Sequence, residues 1–296
     1  MSIHSKKINI GFVGTGIMGL PMAKNLAKKG HMVYVYARNK NKLKNKLIKN
    51  ITLCNTLEEV CMVCDVLITV LPDTKDVKSV LLSKKGVINF NKKPRYIVDM
   101  STICPTETIN ISKLMKKNGV SMIDAPVSGG EIGAIEGNLS IMVGGDRKVF
   151  YKLKKILEIL GQKITYVGKN GSGQVAKICN QIVVAQSINA IGEAYIIAKS
   201  FNTDIKKVRE ALLGGFAYSK ILEVHGQRMI DNSYKPGFKT SLHYKDLRIS
   251  RNIIKKNSLN LPGSKLVYKY MKETFKDKHR NKDSSAYYLT LKKNNK

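Results

Sequence analysis

An open α/β domain followed by an all-α one, the two joined by a long central helix, is the architecture that this 296-residue sequence predicts. Three observations predict it. A glycine-rich turn, Gly14-Thr15-Gly16-Ile17-Met18-Gly19, stands between an apolar, β-like run and a helical pattern. Short apolar runs then alternate with helical stretches as far as Val167, after which no strand-like run of any length follows. Residues 171–200 read as one helix, apolar on nearly every side and without charge from Ile178 to Gly192, which neighbouring structure must bury. Glycines at 168–173 mark the boundary, giving domains 1–168 and 169–296.

Residues 8–13 form the first expected strand, and the helix after the glycine turn runs through Lys29. In this order the first glycine permits a tight turn, the second lets backbone N–H groups approach a pyrophosphate, and the third lets helix pack on strand. The helix N-terminus turns its partial positive charge toward the phosphates. That context is a Rossmann-type dinucleotide-binding domain, and it makes Gly14, Thr15, Gly16, Ile17, Met18 and Gly19 candidate cofactor-binding residues. A second strand at 32–36 ends where such folds place an acid for the adenosine ribose, but Ala37 stands there, followed by Arg38-Asn39-Lys40. The first acid in the chain is Glu58. Arg38 is placed to meet a 2′-phosphate, so NADPH is expected in preference to NADH; the alternative is that Arg38 and Lys40 are charges on a solvated loop.

Apolar strands at 66–71 and 96–100 end in Leu71-Pro72-Asp73 and Ser101-Thr102, and ligands of open α/β sheets lie beyond the carboxyl ends of the strands. Residues 122–126 lead into Val127-Ser128-Gly129-Gly130, whose hydroxyl and backbone N–H donors suit a small carboxylate, unless the stretch is a structural turn. A strand at 139–143, a helix at 148–160 and a strand at 164–167 complete the sheet. Beyond the central helix, Asp204 can cap a helix that runs to Leu213 and stops at Gly214-Gly215. Further helices start near Ser219, after Pro236-Gly237 and after Pro262-Gly263. Lys177, with Asn180 and Gln181 a turn further on, sits at the edge of the uncharged stretch and is either a snorkelling surface residue or a working one.

Composition narrows the classes. Length allows two domains with real cores, and 43% hydrophobic content is that of an ordinary globular protein. No uncharged apolar run reaches membrane-spanning length, since Asn180, Gln181, Gln186 and Asn189 interrupt the central helix. A glycine turn rather than an apolar core follows Lys6 and Lys7, so no signal peptide is expected and the protein reads as cytoplasmic. Five cysteines, with Cys61 and Cys64 the only close pair and no histidines beside them, form no zinc set; they read as reduced structural thiols, and no metal is expected. The formal charge of +31 suggests an acidic partner such as nucleic acid. Its lysines are dispersed and mixed with asparagines, as in Asn39-Lys40-Asn41-Lys42, which fits a genome-wide drift toward A/T-rich codons better than a nucleic-acid surface.

Four stretches in order resemble the β-hydroxyacid dehydrogenases, a family that includes 3-hydroxyisobutyrate dehydrogenases and tartronate semialdehyde reductases. They are Gly14 to Gly19 as quoted above, Asp124-Ala125-Pro126-Val127-Ser128-Gly129-Gly130, Gly173-Gln174-Val175-Ala176-Lys177 with Asn180-Gln181, and Lys245-Asp246-Leu247. The resemblance spans almost the whole chain. Within the family, Glu131-Ile132-Gly133-Ala134 after the serine-glycine stretch, Gly214-Gly215-Phe216-Ala217 and Lys235-Pro236-Gly237-Phe238 are more similar to the tartronate semialdehyde reductases. By this resemblance Lys177 is the catalytic lysine, and Ser128, Gly129 and Gly130 bind the substrate carboxylate. Asn180 or Gln181 orients the substrate, and Thr102 and Lys245 contact the nicotinamide cofactor. It also implies a homodimer or homotetramer and a small semialdehyde or hydroxy-acid substrate. Two departures stand out: Thr15 where leucine is commonest, and Asp283-Ser284-Ser285-Ala286 where related reductases often carry Asp-His-Ser-Ala.

The chemistry expected from these residues is hydride transfer between NADPH or NADH and the carbonyl carbon of a small acid aldehyde, with Lys177 handling the proton as general acid or base. The favoured reaction is reduction of 2-hydroxy-3-oxopropanoate (tartronate semialdehyde) to D-glycerate. 3-Hydroxyisobutyrate dehydrogenase, or another short semialdehyde or glyoxylate reductase, is the nearest alternative. A catalytically silent nucleic-acid-binding protein on the same fold is the alternative of another class, against which an intact Lys177 speaks.

Overall fold

The computed structural model describes residues 8–43 and 45–295. Its backbone divides into two compact units, Met1–Lys177 and Ile178–Lys296. The first unit runs β1 (Asn9–Val13), α1 (Gly19–Lys28), β2 (Met32–Tyr36), β3 (Ile51–Leu53), α2 (Leu57–Val63), β4 (Val66–Thr69) and α3 (Thr74–Leu82). It continues with β5 (Tyr96–Asp99), α4 (Pro105–Lys117), β6 (Ser121–Asp124), β7 (Val127–Ser128), α5 (Gly130–Glu136), β8 (Leu139–Gly144), α6 (Arg147–Leu160) and β9 (Gly161–Gly168). Then comes α7 (Ser172–Ser200), whose first turns belong to this unit.

Among the described residues these strands make one sheet in the order β3-β2-β1-β4-β5-β6-β8-β7, with β9 paired to β8. The strands from β3 to β6 are parallel; β8 runs antiparallel to β6 and β7 and parallel to β9. The period-2 alternation of the strands explains why both faces are covered. Ile10, Phe12, Val66, Ile68, Tyr96, Val98 and Ile123 join one buried cluster with α1 and α6, and the intervening Leu67, Ile97 and Met122 join another with α2, α3 and α4. Each fully buried Val, Leu, Ile or Phe contributes roughly 1.5–3 kcal/mol, so these central strands are held mainly by apolar burial. The expected α/β domain is therefore present, with two strands, β3 and β7, that sequence patterning does not reveal.

The start of α7 is fixed by buried polar groups. The Asp124 carboxylate, at the end of β6, accepts the Gly171 N–H (2.8 Å) and the Gln174 N–H (3.0 Å). These are among the N–H groups that a helix start leaves without intrahelical partners. The Gln174 side chain accepts the Ile103 N–H (3.0 Å) and donates to the Ser101 carbonyl (2.8 Å), so the first turn is tied to the loop after β5 as well. Burial pushes the Asp124 carboxyl up to about 6, against the downward pull of the two N–H groups it accepts.

The second unit is helical. The remainder of α7 is followed by α8 (Ile205–Leu213), a π-helical stretch Leu222–Gly226 leading into α9 (Gln227–Ile230), then α10 (Thr240–Lys256), α11 (Pro262–Thr274) and α12 (Tyr287–Lys293). Asp204 caps α8 by accepting the Lys206 N–H, as the sequence predicts. Ala185, Ile188 and Tyr195 of α7 are fully buried, in a core with Leu247, Met271, Tyr287 and Leu291. The expectation of burial on nearly every side is corrected here: Val183 and Ile197 are each 62% exposed. Likewise, α7 is long and apolar enough to cross a membrane by length and composition, despite its polar residues; its buried stripe is that of a core helix.

Asp283, in the stretch that departs from the related reductases, is a fully buried hub. It accepts the Gly237 and Phe238 N–H groups and the Ser285 hydroxyl, and pairs with Arg228 and His225. These partners, His225 foremost among them, hold its carboxyl far below the usual carboxylate range, outweighing the opposing effect of burial.

Two outcomes are expected. Asp283→Ala should destabilise the protein by about 3–5 kcal/mol, because it leaves buried donors and cations without their acceptor, which a shifted urea midpoint would register. Asp124 has a folded-state pKa raised above 3.8, so its contribution to stability is fully present below about pH 4 and is lost as pH rises through about 6. That loss is about 3 kcal/mol. Asp124→Asn should remove this component, so its stability relative to wild type should rise between pH 4 and pH 7 in parallel denaturation curves.

Candidate active site

Parallel pairing brings the carboxyl ends of β1, β2, β4 and β5 to one edge of the sheet, and with them Gly14 to Gly19, Arg38, Leu71-Pro72 and Thr102. The glycine turn fits a dinucleotide pyrophosphate on steric grounds. A Cβ at Gly14, whose φ is +101°, would collide with the Val70 carbonyl oxygen, and one at Gly19 would collide with the Gly14 carbonyl oxygen. A Cβ at Gly16, by contrast, would meet nothing within 4 Å, which leaves that backbone open to a ligand. Around it, Thr15 and Met18 are half-buried and Ile17 is exposed.

A buried polar chain fixes the neighbouring strand ends. The Thr69 hydroxyl donates to Asp99 (2.8 Å), Asp99 accepts the Ser101 N–H (3.1 Å), and the Ser101 hydroxyl accepts the Leu71 N–H (2.8 Å). Leu71 and the residue before Thr102 are thereby held in one network. Arg38 is 81% exposed, and its Nη1 lies 3.8 Å from an Asp76 carboxylate oxygen in the first turn of α3. Lys40 donates to the Asn55 side-chain oxygen at 2.9 Å.

Ser128 closes the two-residue β7, paired to Ser140, and Gly129 follows with φ of +138°, a conformation that glycine alone adopts readily. Gly130, also at positive φ, begins α5. Lys177 sits on α7, three residues after Gln174, and is only 6% exposed. That burial disagrees with a snorkelling surface lysine, which keeps its ammonium in water.

In the second unit, Asn180, Gln181 and Lys245 belong to one polar network. Asn180 donates to the Gln181 side-chain oxygen (2.8 Å), Gln181 donates to Asp246 (2.6 Å), and the Lys245 ammonium pairs with the other Asp246 oxygen (2.7 Å). The His243 ring lies 3.2 Å from the Gln181 carbonyl. Asp246, 2% exposed, thus sets the side chains of both Gln181 and Lys245. Sequence reasoning assigned roles to neither Asp124, Gln174 nor Asp246, although all three lie inside the family-like stretches; apart from the adjacent Lys245, the partners that these bonds reach are 47 to 73 residues away in sequence, and no local spacing signals them.

Comparison with known proteins agrees with this fold. Residues 9–168 match the NAD binding domain of 6-phosphogluconate dehydrogenase, and residues 171–291 match the NAD-binding domain of NADP-dependent 3-hydroxyisobutyrate dehydrogenase. The chain is 45% identical to 2-hydroxy-3-oxopropionate reductase of Escherichia coli K12, over 87% of this chain and 88% of that protein. It is 32% identical to the mitochondrial 3-hydroxyisobutyrate dehydrogenase of Drosophila melanogaster, over 99% of this chain and 92% of that one. A solved structure of Mycobacterium tuberculosis 3-hydroxyisobutyrate dehydrogenase with L-serine superposes with a TM-score of 0.88 at 28% identity, covering 97% of this chain and 99% of that one. The chain belongs to the β-hydroxyacid dehydrogenase family and is an oxidoreductase that uses a nicotinamide dinucleotide.

Proposed function

We propose that the protein reduces 2-hydroxy-3-oxopropanoate (tartronate semialdehyde) to D-glycerate, with NADPH preferred to NADH and Lys177 as the general acid. The observation that carries the substrate is the 45% identity to the E. coli reductase over nearly the full length of both chains. The reduced nicotinamide, when bound, supplies the hydride that reaches the aldehyde carbon. The protein then has one proton to deliver and one carboxylate to hold. Lys177, buried on a helix start fixed by Asp124 and Gln174, donates that proton to the carbonyl oxygen. The Ser128 hydroxyl and the N–H groups of Gly129 and Gly130 receive the substrate carboxylate. Of the two candidate amides, Gln181 is 3% exposed and engaged at both ends, accepting from Asn180 and donating to Asp246. Asn180, half-buried, keeps the spare hydrogen-bonding capacity and is the residue assigned to orient substrate.

Leu71, Pro72, Thr102 and Lys245 complete the cofactor assignment, and Arg38 reads the 2′-phosphate in the absence of an acid at the end of β2. Cytoplasmic location and a homodimer or homotetramer belong to the same reading, as does a small acid aldehyde rather than nucleic acid as the molecule bound. The 3-hydroxyisobutyrate dehydrogenase reading is the second, favoured by the full-length match to the Drosophila enzyme.

Oxidation of NADPH and of NADH by the purified protein, offered tartronate, methylmalonate and succinate semialdehydes in turn, separates the two. Fastest turnover with the first, and with NADPH, is expected; activity with methylmalonate semialdehyde alone would move the assignment to the second reading. Lys177→Ala should bind cofactor normally and lose about 10²–10⁴-fold in kcat. A near-normal rate in that variant would remove Lys177 from the mechanism.

A further inference from the structure

We infer that Asp76 is a specificity-determining residue of the cofactor site, restraining the preference for a 2′-phosphate by holding Arg38 in an ion pair. The inference rests on the proposed role of Arg38 as reader of that phosphate. Sheet order supplies the geometry. β1 lies between β2 and β4, so the turn after β2 and the first turn of α3, which follows β4, flank the glycine loop from its two sides. The pair of Arg38 Nη1 and Asp76 Oδ1, 3.8 Å apart, joins those flanks at the edge where the strand ends meet the ligand.

The two partners are unequal. Asp76 is 18% exposed and sits in the first turn of a helix capped by Asp73, with its own N–H donated to the Asp73 carbonyl, so its carboxylate is placed by the fold and favoured by the helix dipole. Arg38 is 81% exposed on a long side chain and follows the carboxylate rather than placing it. Lys40, another cation of the turn, is hydrogen-bonded to a neutral amide, that of Asn55. Asp76 acts on Arg38, whose planar guanidinium suits a phosphate.

A phosphate monoester carries a charge of about −1.5 to −2 at neutral pH. To reach Arg38 it must replace the Asp76 carboxylate there, and it then stays close to that negative charge. A 2′-hydroxyl meets neither obstacle. Both effects lower discrimination between the two cofactors, so the wild-type protein accepts NADH more readily than Arg38 alone would allow.

Calorimetric titration of NADP⁺ and of NAD⁺ into wild type, Asp76→Asn, Arg38→Ala and the double variant at low ionic strength tests this. Asp76→Asn should raise the ratio of NADP⁺ to NAD⁺ affinity about 2- to 5-fold, the scale of an exposed ion pair. Arg38→Ala should lower that ratio, and the effect of Asp76→Asn should shrink in its background. A ratio that falls on Arg38→Ala but does not rise on Asp76→Asn overturns the inference and leaves the reading of Arg38 standing. A ratio unmoved by Arg38→Ala overturns that reading, and the inference with it.

Discussion

The carboxylate of Asp124 is the point on which the candidate site depends. It takes two N–H groups from the start of a 29-residue helix and does so in full burial, where an unpaired charge would be very costly. Those donors and the positive end of the helix compensate part of the desolvation, and the remainder appears as its raised affinity for a proton. In return the helix has one register against the sheet. Lys177 comes one turn after Gln174, whose amide is itself bonded at both ends, so the backbone from which the lysine side chain leaves is placed by bonds made by its neighbours. A helix held only by apolar contacts could slide or rotate by a fraction of a turn; one clamped by directional bonds cannot do so without breaking them.

The same logic recurs at two other buried acids. Thr69, Asp99, Ser101 and Leu71 link the ends of β4 and β5, and Asp246 links Gln181 to Lys245. Asp246 touches two residues that carry expected roles, and Asp99 reaches Leu71 through Ser101; neither acid takes such a role itself. Under the proposed mechanism, positioning and chemistry are divided between different side chains, as near-attack geometry demands of a scaffold.

The sheet and its helices were largely legible because burial on both faces makes central parallel strands read as apolar runs, and the glycine turn announces where the first one ends. β3 and β7, three and two residues long, are too short to establish a period, and β7 moreover carries Ser128 into a pairing that a serine-glycine stretch does not advertise. Apolar content in α7 exceeds what the core buries, so composition overstated the burial of Val183 and Ile197. Asp283 stands in a stretch with no local signal of its role, which rests, Ser285 apart, on partners 45 to 58 residues earlier in the chain. Local pattern reveals elements and candidate chemistry; the bonds that hold them in register are between residues far apart in sequence, and only the fold shows those.

The charge of the chain takes its meaning from the same acids. Only 21 acidic residues face 52 lysines and arginines, yet Asp99, Asp124, Asp246 and Asp283 are all 2% exposed or less. Each accepts from a backbone N–H, a hydroxyl, an amide or a cation that would otherwise lose a partner, so none can be exchanged for lysine without leaving a buried donor unpaired. Surface positions carry no such constraint, and a drift in composition toward lysine is absorbed there at little cost in stability. These four acids are thus fixed by the bonds they accept, whereas charge at exposed positions can vary without disturbing them.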